Sequence, residues 1–529
     1  MDRLGQLAGH RGWKQCLLTA AVLALLAARV PLYWRTGEFV AEDGWVFFAD
    51  AWNQAFPGSL LLPYAGYFHV LPRLLAELCT LLPVFSQPHA YAALGLGLNA
   101  AILSAFYLPA FRHVLPSDAT RLGLVLLLAL APHAQNLGLL LGLHWYLALA
   151  LCLLLIAPAP TGPAGQLGLG SVALLCAWSS PSTLVLTPFV LLTAWRSRDH
   201  AKRLKLGFIG GTLLVVALLV LWLRVGHAER TGDFHWPDLA AALDRLVLRG
   251  WLGASLLGPR LAGLLAAKSP LLLDIFGLAA LSALAAALWK NRARDFIRPV
   301  VLLLGGGLLM LVLSLTRTAY VAELATLVLP VHTRYLTAPT LLLYVGLGIL
   351  GAHLLSRAQL AGVLGVVAGL LLFSLPGQNH WARGVATYHL RDALPAIQQL
   401  EQQTGPASLY VPADIPYWGP VLEKNGGVLI PPGTGLASAV GARPEAAGQY
   451  VSWLGRFTAQ PEGTWINHEA LGRLAFTGVE RGRVFFRDPA GRLIFTSPLL
   501  YPKFWRLEGI QQWLLIDATN PAQAIPEPK

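Results

Sequence analysis

The chain has 529 residues, of which 55% are hydrophobic and only 12% charged, with a net charge of +12. That charged fraction is about half the usual value for soluble domains. With a mean hydropathy of +0.57, it excludes a disordered chain, a soluble nucleic-acid binder and a small disulfide scaffold. Lipid is the solvent such a composition suits. The Lys and Arg residues agree, because they cluster between apolar runs, as positive-inside loops do, rather than along one stripe. Cys16, Cys79, Cys152 and Cys176 show no metal or redox spacing and read as packing residues.

A membrane helix needs about 20 apolar residues to cross about 30 Å of hydrocarbon. Such runs follow one another near 16–34, 88–111, 121–133, 143–158, 167–179, 182–195, 206–226, 271–289, 298–316, 338–355 and 359–375. The pattern predicts a polytopic α-helical membrane protein with about 11 transmembrane helices. Around Ser179-Ser180-Pro181-Ser182 the runs form either one kinked element or two shallow helices, and 69–85 is open to reading as a surface helix. The basic clusters are Arg3, Arg11 and Lys14; Arg112 and Arg121; Arg196, Arg198, Lys202, Arg203 and Lys205; and Lys290, Arg292, Arg294 and Arg298. Placed together in the cytoplasm, they make the spans alternate only if 167–195 crosses twice. The first run then reads as an uncleaved anchor.

This topology puts residues 35–87, 227–270, 317–337 and everything after Pro376 on the outer side. The chain divides into a membrane domain, 1–376, and a soluble extracytoplasmic (periplasmic) domain, 377–529. After Pro376 the long apolar runs stop. Residues 391–403 read as an amphipathic helix with Leu394, Ile397 and Leu400 on one face, and 407–411 as a strand. Residues 483–487, 488–491 and 492–496 spell strand, turn, strand. An α+β, β-rich C-terminal domain follows.

The stretch after the first run is the richest in chemistry. It reads Arg35-Thr-Gly-Glu38-Phe-Val-Ala-Glu42-Asp43-Gly44-Trp-Val-Phe-Phe-Ala-Asp50. Glu38, Glu42 and Asp43 stand among aromatic and β-branched residues at the membrane boundary, where carboxylates are costly unless paired, hydrated or used. Adjacent acids in such a setting suit a general base or a cation ligand; they equally suit the N-terminus of a short surface helix. Next comes Pro63-Tyr64-Ala-Gly66-Tyr67-Phe68-His69-Val-Leu-Pro72-Arg73, and later Pro132-His133-Ala-Gln135-Asn136 and Gly142-Leu143-His144-Trp145-Tyr146. Aromatics with hydrogen-bonding tips stack on sugar faces, and they also form the interfacial belt of membrane proteins. Outer-side Arg224, Arg230, Arg245, Arg249, Arg260, Lys268, Arg317 and Arg334-Tyr335 suit phosphate or headgroup contact, or ion pairs between loops.

Several signatures are missing. There is no GxxxxGK[ST], no HExxH and no glycine-flanked nucleophile elbow at Ser179-Ser180. Charged residues are nearly absent from span centres, which argues against an ion-coupled transporter.

A long first span, Ala41-Glu42-Asp43-Gly44 opening the first outer loop, the Pro63–Arg73 stretch, Leu143-His144-Trp145-Tyr146 and Arg334-Tyr335-Leu336 together resemble the GT-C superfamily of membrane glycosyltransferases. The resemblance covers most of the membrane part by topology and a few short motifs by residue. It implies an inverting transfer of a sugar from a polyprenyl-phosphate donor to an acceptor hydroxyl of a glycan, lipid or protein, on the outer face of a bacterial inner membrane. Asp43 matches the position of the base, with Glu42 next to it and Glu38 supporting. Arg334, Arg230 and Arg317 are the implied phosphate-binding residues. Tyr64, Tyr67, His69, His144, Trp145 and Tyr335 complete the implied substrate-binding set. Some members use a divalent cation and others do not, so Mg or Mn stays open as a cofactor. The alternatives are an O-antigen polymerase or ligase, whose large loop lies later in the bundle, a lipid or oligosaccharide flippase or transporter, and a non-catalytic membrane subunit.

Overall fold

The computed structural model describes residues 2–35, 37–40, 42–54, 56–64, 67–132, 137–160, 162–226, 244–315, 335–378, 390–402, 404, 407–410, 421–424, 465–468, 472–480, 483–487, 493–496, 515–516 and 524–525. The protein is mostly helical, and a helix lies along each of the eleven apolar runs. Among the described residues five helices are long and apolar enough to cross a membrane. They are Val84–Tyr107, His200–Trp222, Pro270–Lys290, Thr337–Leu354 and Arg357–Leu375. Pro163–Ser179 and Pro181–Arg196, bent by 108° at their junction, add a sixth if they form one span. Part of the difference from the expected eleven lies in helix length. Leu143–Ile156, for example, has 14 residues and extends about 21 Å, short of about 30 Å of hydrocarbon.

The chain divides into two compact units: Met1–Leu32 with Leu61–Pro72 and Ala92–Gly384, and Tyr33–Leu60 with Arg73–Tyr91 and Val385–Lys529. In the first unit Thr337–Leu354 is the core helix, buried over most of its length. Its polar groups find partners inside the bundle, as burial in an apolar medium demands. The Trp251 indole donates to the Pro339 carbonyl at 2.9 Å, and the Ser255 and Thr340 hydroxyls meet at 2.8 Å. The Tyr344 hydroxyl donates to the Ser255 carbonyl at 2.6 Å. The buried Arg29 guanidinium donates to the carbonyls of Ala129 and Ala131 at 2.5 and 2.8 Å. It thereby caps the carboxyl end of Asp118–Ala129 with a positive charge, as the helix dipole favours. A Cβ on Gly95 would lie 2.7 Å from the carbonyl oxygen of Gly138, whose φ of 75° itself favours glycine.

In the second unit the acid-bearing segment forms a short π-helix, Asp43–Phe48, that runs into the α-helix Ala49–Asn53. Its apolar side chains Val46, Phe47 and Phe48 are buried, and Phe39 stacks on Phe48 with ring centroids 4.5 Å apart. Helix Leu390–Gln402 buries Leu390, Ile397 and Leu400 on one side. Glu38 accepts a hydrogen bond of 2.7 Å from the Leu390 amide, an acid supplied from far along the chain to a helix N-terminus. Strands Ala407–Tyr410 and Val421–Lys424 pair antiparallel. Trp465–His468, Gly472–Glu480, Arg483–Arg487 and Leu493–Thr496 form an antiparallel meander with a bulge between Phe476 and Gly478. Leu515–Ile516 pairs with Ala524–Ile525.

Candidate functional site

The first unit gathers six of the expected substrate-binding residues into one cluster. Tyr64 and Tyr67 exchange backbone hydrogen bonds of 3.0 and 3.3 Å, which turn the chain so that His69 lies against both rings. Ring centroids are 5.7 Å apart for Tyr64–His69 and 4.3 Å for Tyr67–His69. From Leu143–Ile156 comes His144, 6.0 Å from His69 and 6.1 Å from Tyr67, with Trp145 beside it at 4.4 Å. Tyr335 closes the row, edge-on to Trp145 at 5.6 Å. His69 and His144 are buried, and so are Tyr67 and Trp145. The His144 Nδ1–H donates to the Leu141 carbonyl at 2.5 Å, an arrangement that fixes the ring against its own helix. Such a cluster offers flat apolar faces and a few N–H and O–H groups in one place, the chemistry that stacks and orients a sugar.

Ser179 and Ser180, which lack the flanking glycines of a nucleophile elbow, tie two stretches of this cluster together. The Ser179 hydroxyl accepts from the Leu71 amide at 2.7 Å, and the Ser180 hydroxyl donates to the His144 carbonyl at 2.6 Å. Trp178 meets Phe68 with ring centroids 5.2 Å apart.

The second unit holds the acids. Asp43 is 3% exposed and Glu42 8%, so neither carboxylate is directed into bulk solvent. Two residues beyond the π-helix, Asp50 pairs with Arg73 at 2.8 Å, with side-chain exposures of 9% and 1%. The Arg73 guanidinium also lies over the Phe47 ring, 5.6 Å from its centroid. Ser59 donates to the Glu77 carboxylate. The Cys79 thiol is pushed up to about 11, first by burial and then by the negative charge of Asp43, so Asp43 and Cys79 feel one another. Asp50 and Arg73 escape sequence reasoning because 23 residues separate them and no periodicity marks the pair. Glu38 is half-buried and bound to the Leu390 amide. A cavity of about 500 Å³ in this unit is lined by Gly37, Phe85, Ser86, His89, Leu390 and Leu394; Glu42 and Asp43 are not among its described lining residues.

Arg334, Arg230 and Arg317 lie outside the described residues, as do His133, Gln135 and Asn136. Two other basic residues of the outer set have local partners. Arg249 binds Asp274 with two hydrogen bonds of 2.5 and 2.7 Å. Arg260 lies 4.5 Å from the Phe373 ring centroid. Among the described residues no group of three or more His, Cys, Asp and Glu side chains is arranged to hold a metal ion. Comparison with protein-family models returns no match, and comparison with curated protein sequences returns none.

Proposed function

We infer that the chain is an integral membrane glycosyltransferase of the GT-C type. It transfers a sugar from a polyprenyl phosphate to an acceptor hydroxyl on the outer face of a bacterial inner membrane. The observation that carries this reading is the burial of Asp43 and Glu42 at the head of the π-helix. Carboxylates in an apolar setting are expensive to keep, and sites that do chemistry are where proteins keep them. π-Helical turns are likewise frequent at functional sites. The cluster of His69, His144, Tyr67, Trp145 and Tyr335 supports the same reading from the first unit, as a surface suited to a sugar ring.

In this reading the acceptor oxygen attacks the anomeric carbon from the face opposite the phosphate. Asp43 takes the acceptor proton while the bond from carbon to phosphate oxygen breaks, and the lipid phosphate leaves with the electron pair. The product has inverted configuration. Glu42 keeps the local field negative beside the base, and Glu38 supports the segment by anchoring the N-terminus of Leu390–Gln402. Arg334, with Arg230 and Arg317, stabilises the charge that grows on the leaving phosphate. The fold that goes with this function has about eleven crossings. Residues 1–376 form the catalytic membrane domain, and 377–529 a β-rich domain on the outer side. An impermeant thiol reagent applied to intact cells tests the orientation. Trp45→Cys and Asn425→Cys both react before lysis; reaction only after lysis overturns it.

The test of the activity is incubation of the purified full chain with a panel of polyprenyl-phosphate sugars and candidate acceptors, read as release of the free lipid phosphate. Release by the protein and its loss in Asp43→Asn support the reading. Absence of release with every donor overturns it.

A further inference from the structure

We propose that the break between Pro163–Ser179 and Pro181–Arg196 is a two-hydroxyl clip, in which Ser179 and Ser180 act as positioning residues for the His69 and His144 rings. The inference deepens the glycosyltransferase reading, since it assigns a second set of residues to the same substrate-binding cluster and rests on that reading for its kinetic part.

Helices that bend sharply do so for an identifiable reason, and here the two arms meet at 108°. Ser180 has extended backbone, φ −142° and ψ 115°, and stands at the N-cap of Pro181–Leu184. Serine at that position ordinarily accepts a hydrogen bond from its own helix. Ser180 makes no such bond; its hydroxyl donates to the His144 carbonyl at 2.6 Å. Ser179, one residue earlier, also serves another element. It accepts from the Leu71 amide, one of the first-turn donors of Val70–Cys79 that lack a partner within their own helix. Both serines are 1% exposed or less. The local bonds of the bend come instead from Thr183, whose hydroxyl lies 3.0 Å from the Cys176 carbonyl and 2.7 Å from that of Ser180.

The two serine hydroxyls thus tie two separate stretches to one point. One ends two residues after His69, and the other contains His144. Trp178, next to Ser179 in the chain, meets Phe68, the neighbour of His69, with ring centroids 5.2 Å apart. The clip fixes the approach of the two imidazoles, whose centroids are 6.0 Å apart. Neither serine is a nucleophile in this account; both act through the backbone of the residues they hold.

The experiment compares Ser179→Ala and Ser180→Ala with Thr187→Val in the full-length protein. Thr187 is a buried residue of the same bent pair whose hydroxyl donates locally, to the Leu184 carbonyl at 2.6 Å. Peptide mass spectrometry after diethylpyrocarbonate treatment reads the modification rates of His69 and His144. In the serine variants these rates rise about fivefold or more, and in Thr187→Val they stay at the wild-type value. With a polyprenyl-phosphate donor that turns over, KM for the donor rises about 3–10-fold in the serine variants, the range expected for one lost hydrogen bond, while kcat changes less than about twofold. Should an alanine variant fail to fold, cysteine, close in size and a weaker donor, takes its place. Histidine modification equal to that of Thr187→Val, or an unchanged donor KM, overturns the clip. If the wild-type protein turns over none of the donors, the glycosyltransferase reading falls, and the modification rates alone still decide whether the serines hold the rings.

Discussion

Replacing Asp50 by Ala separates what holds the acid-bearing segment in place from what the acids do. Asp50 and Arg73 meet at 2.8 Å with side-chain exposures of 9% and 1%. Forming such a pair gains little net stability, because each ion gives up its hydration on burial. Removing one member is different, since the buried Arg73 guanidinium loses the carboxylate at 2.8 Å while its own burial is unchanged. Deleting one partner of a buried pair costs about 3–5 kcal/mol, against a total domain stability of about 5–15 kcal/mol. Asp50→Asn keeps an oxygen acceptor but loses the charge, so its cost is smaller, about 1.5–3 kcal/mol. The double variant Asp50→Ala with Arg73→Met returns most of the loss, because apolar replacement of both members is nearly neutral. The assay is denaturant unfolding in detergent of wild type, Asp50→Ala, Arg73→Met and the double variant, read as a double-mutant cycle, with Asp50→Asn measured beside them. An Asp50→Ala cost below about 1 kcal/mol, or a double variant no better than the single one, shows that the pair does not hold this segment.

Gly95→Ala places a methyl group 2.7 Å from the Gly138 carbonyl oxygen, where backbone cannot yield as a side-chain end can. A loss of about 1–3 kcal/mol in thermal unfolding is expected, and a variant as stable as wild type shows that the contact relaxes. The Cys79 thiol titrates at about 11 in the folded protein against 9.0 ordinarily. Its contribution is therefore fully present below pH 9 and is lost between pH 9 and 11, where only the unfolded chain gives up the proton. Wild type is expected to lose stability over that window faster than Cys79→Ala, and parallel curves contradict this. At pH 8 a maleimide is expected to modify the exposed Cys16 and to spare Cys79.

The sequence made the helices legible because a run of apolar residues has few alternatives to a buried or lipid-facing helix. Every one of the eleven runs carries a helix, and 390–402 packs with Ile397 and Leu400 buried as its periodicity predicts. How many of these helices cross a membrane was less legible, because apolar composition does not set where a helix stops. Leu143–Ile156 is as apolar as its neighbours yet too short by itself. The aromatic and histidine residues could be singled out by type, and six of them meet in one cluster. The serines that tether two of those stretches could not, since a hydroxyl in an apolar run has the same sequence signature whether it caps its own helix or reaches another. Asp50 and Arg73 were hidden for a related reason: their pairing depends on tertiary structure, and either residue alone looks like an ordinary boundary charge.

We propose that Asp43 takes a proton from an acceptor hydroxyl as a sugar leaves a lipid phosphate. The most direct test of this step is release of free polyprenyl phosphate by purified wild-type protein and by Asp43→Asn, each first shown to unfold at the same denaturant concentration. Wild type is expected to release lipid phosphate with at least one donor, and Asp43→Asn to be slower by about 100-fold or more, the usual size of a lost general base. Equal rates for two equally stable proteins contradict it.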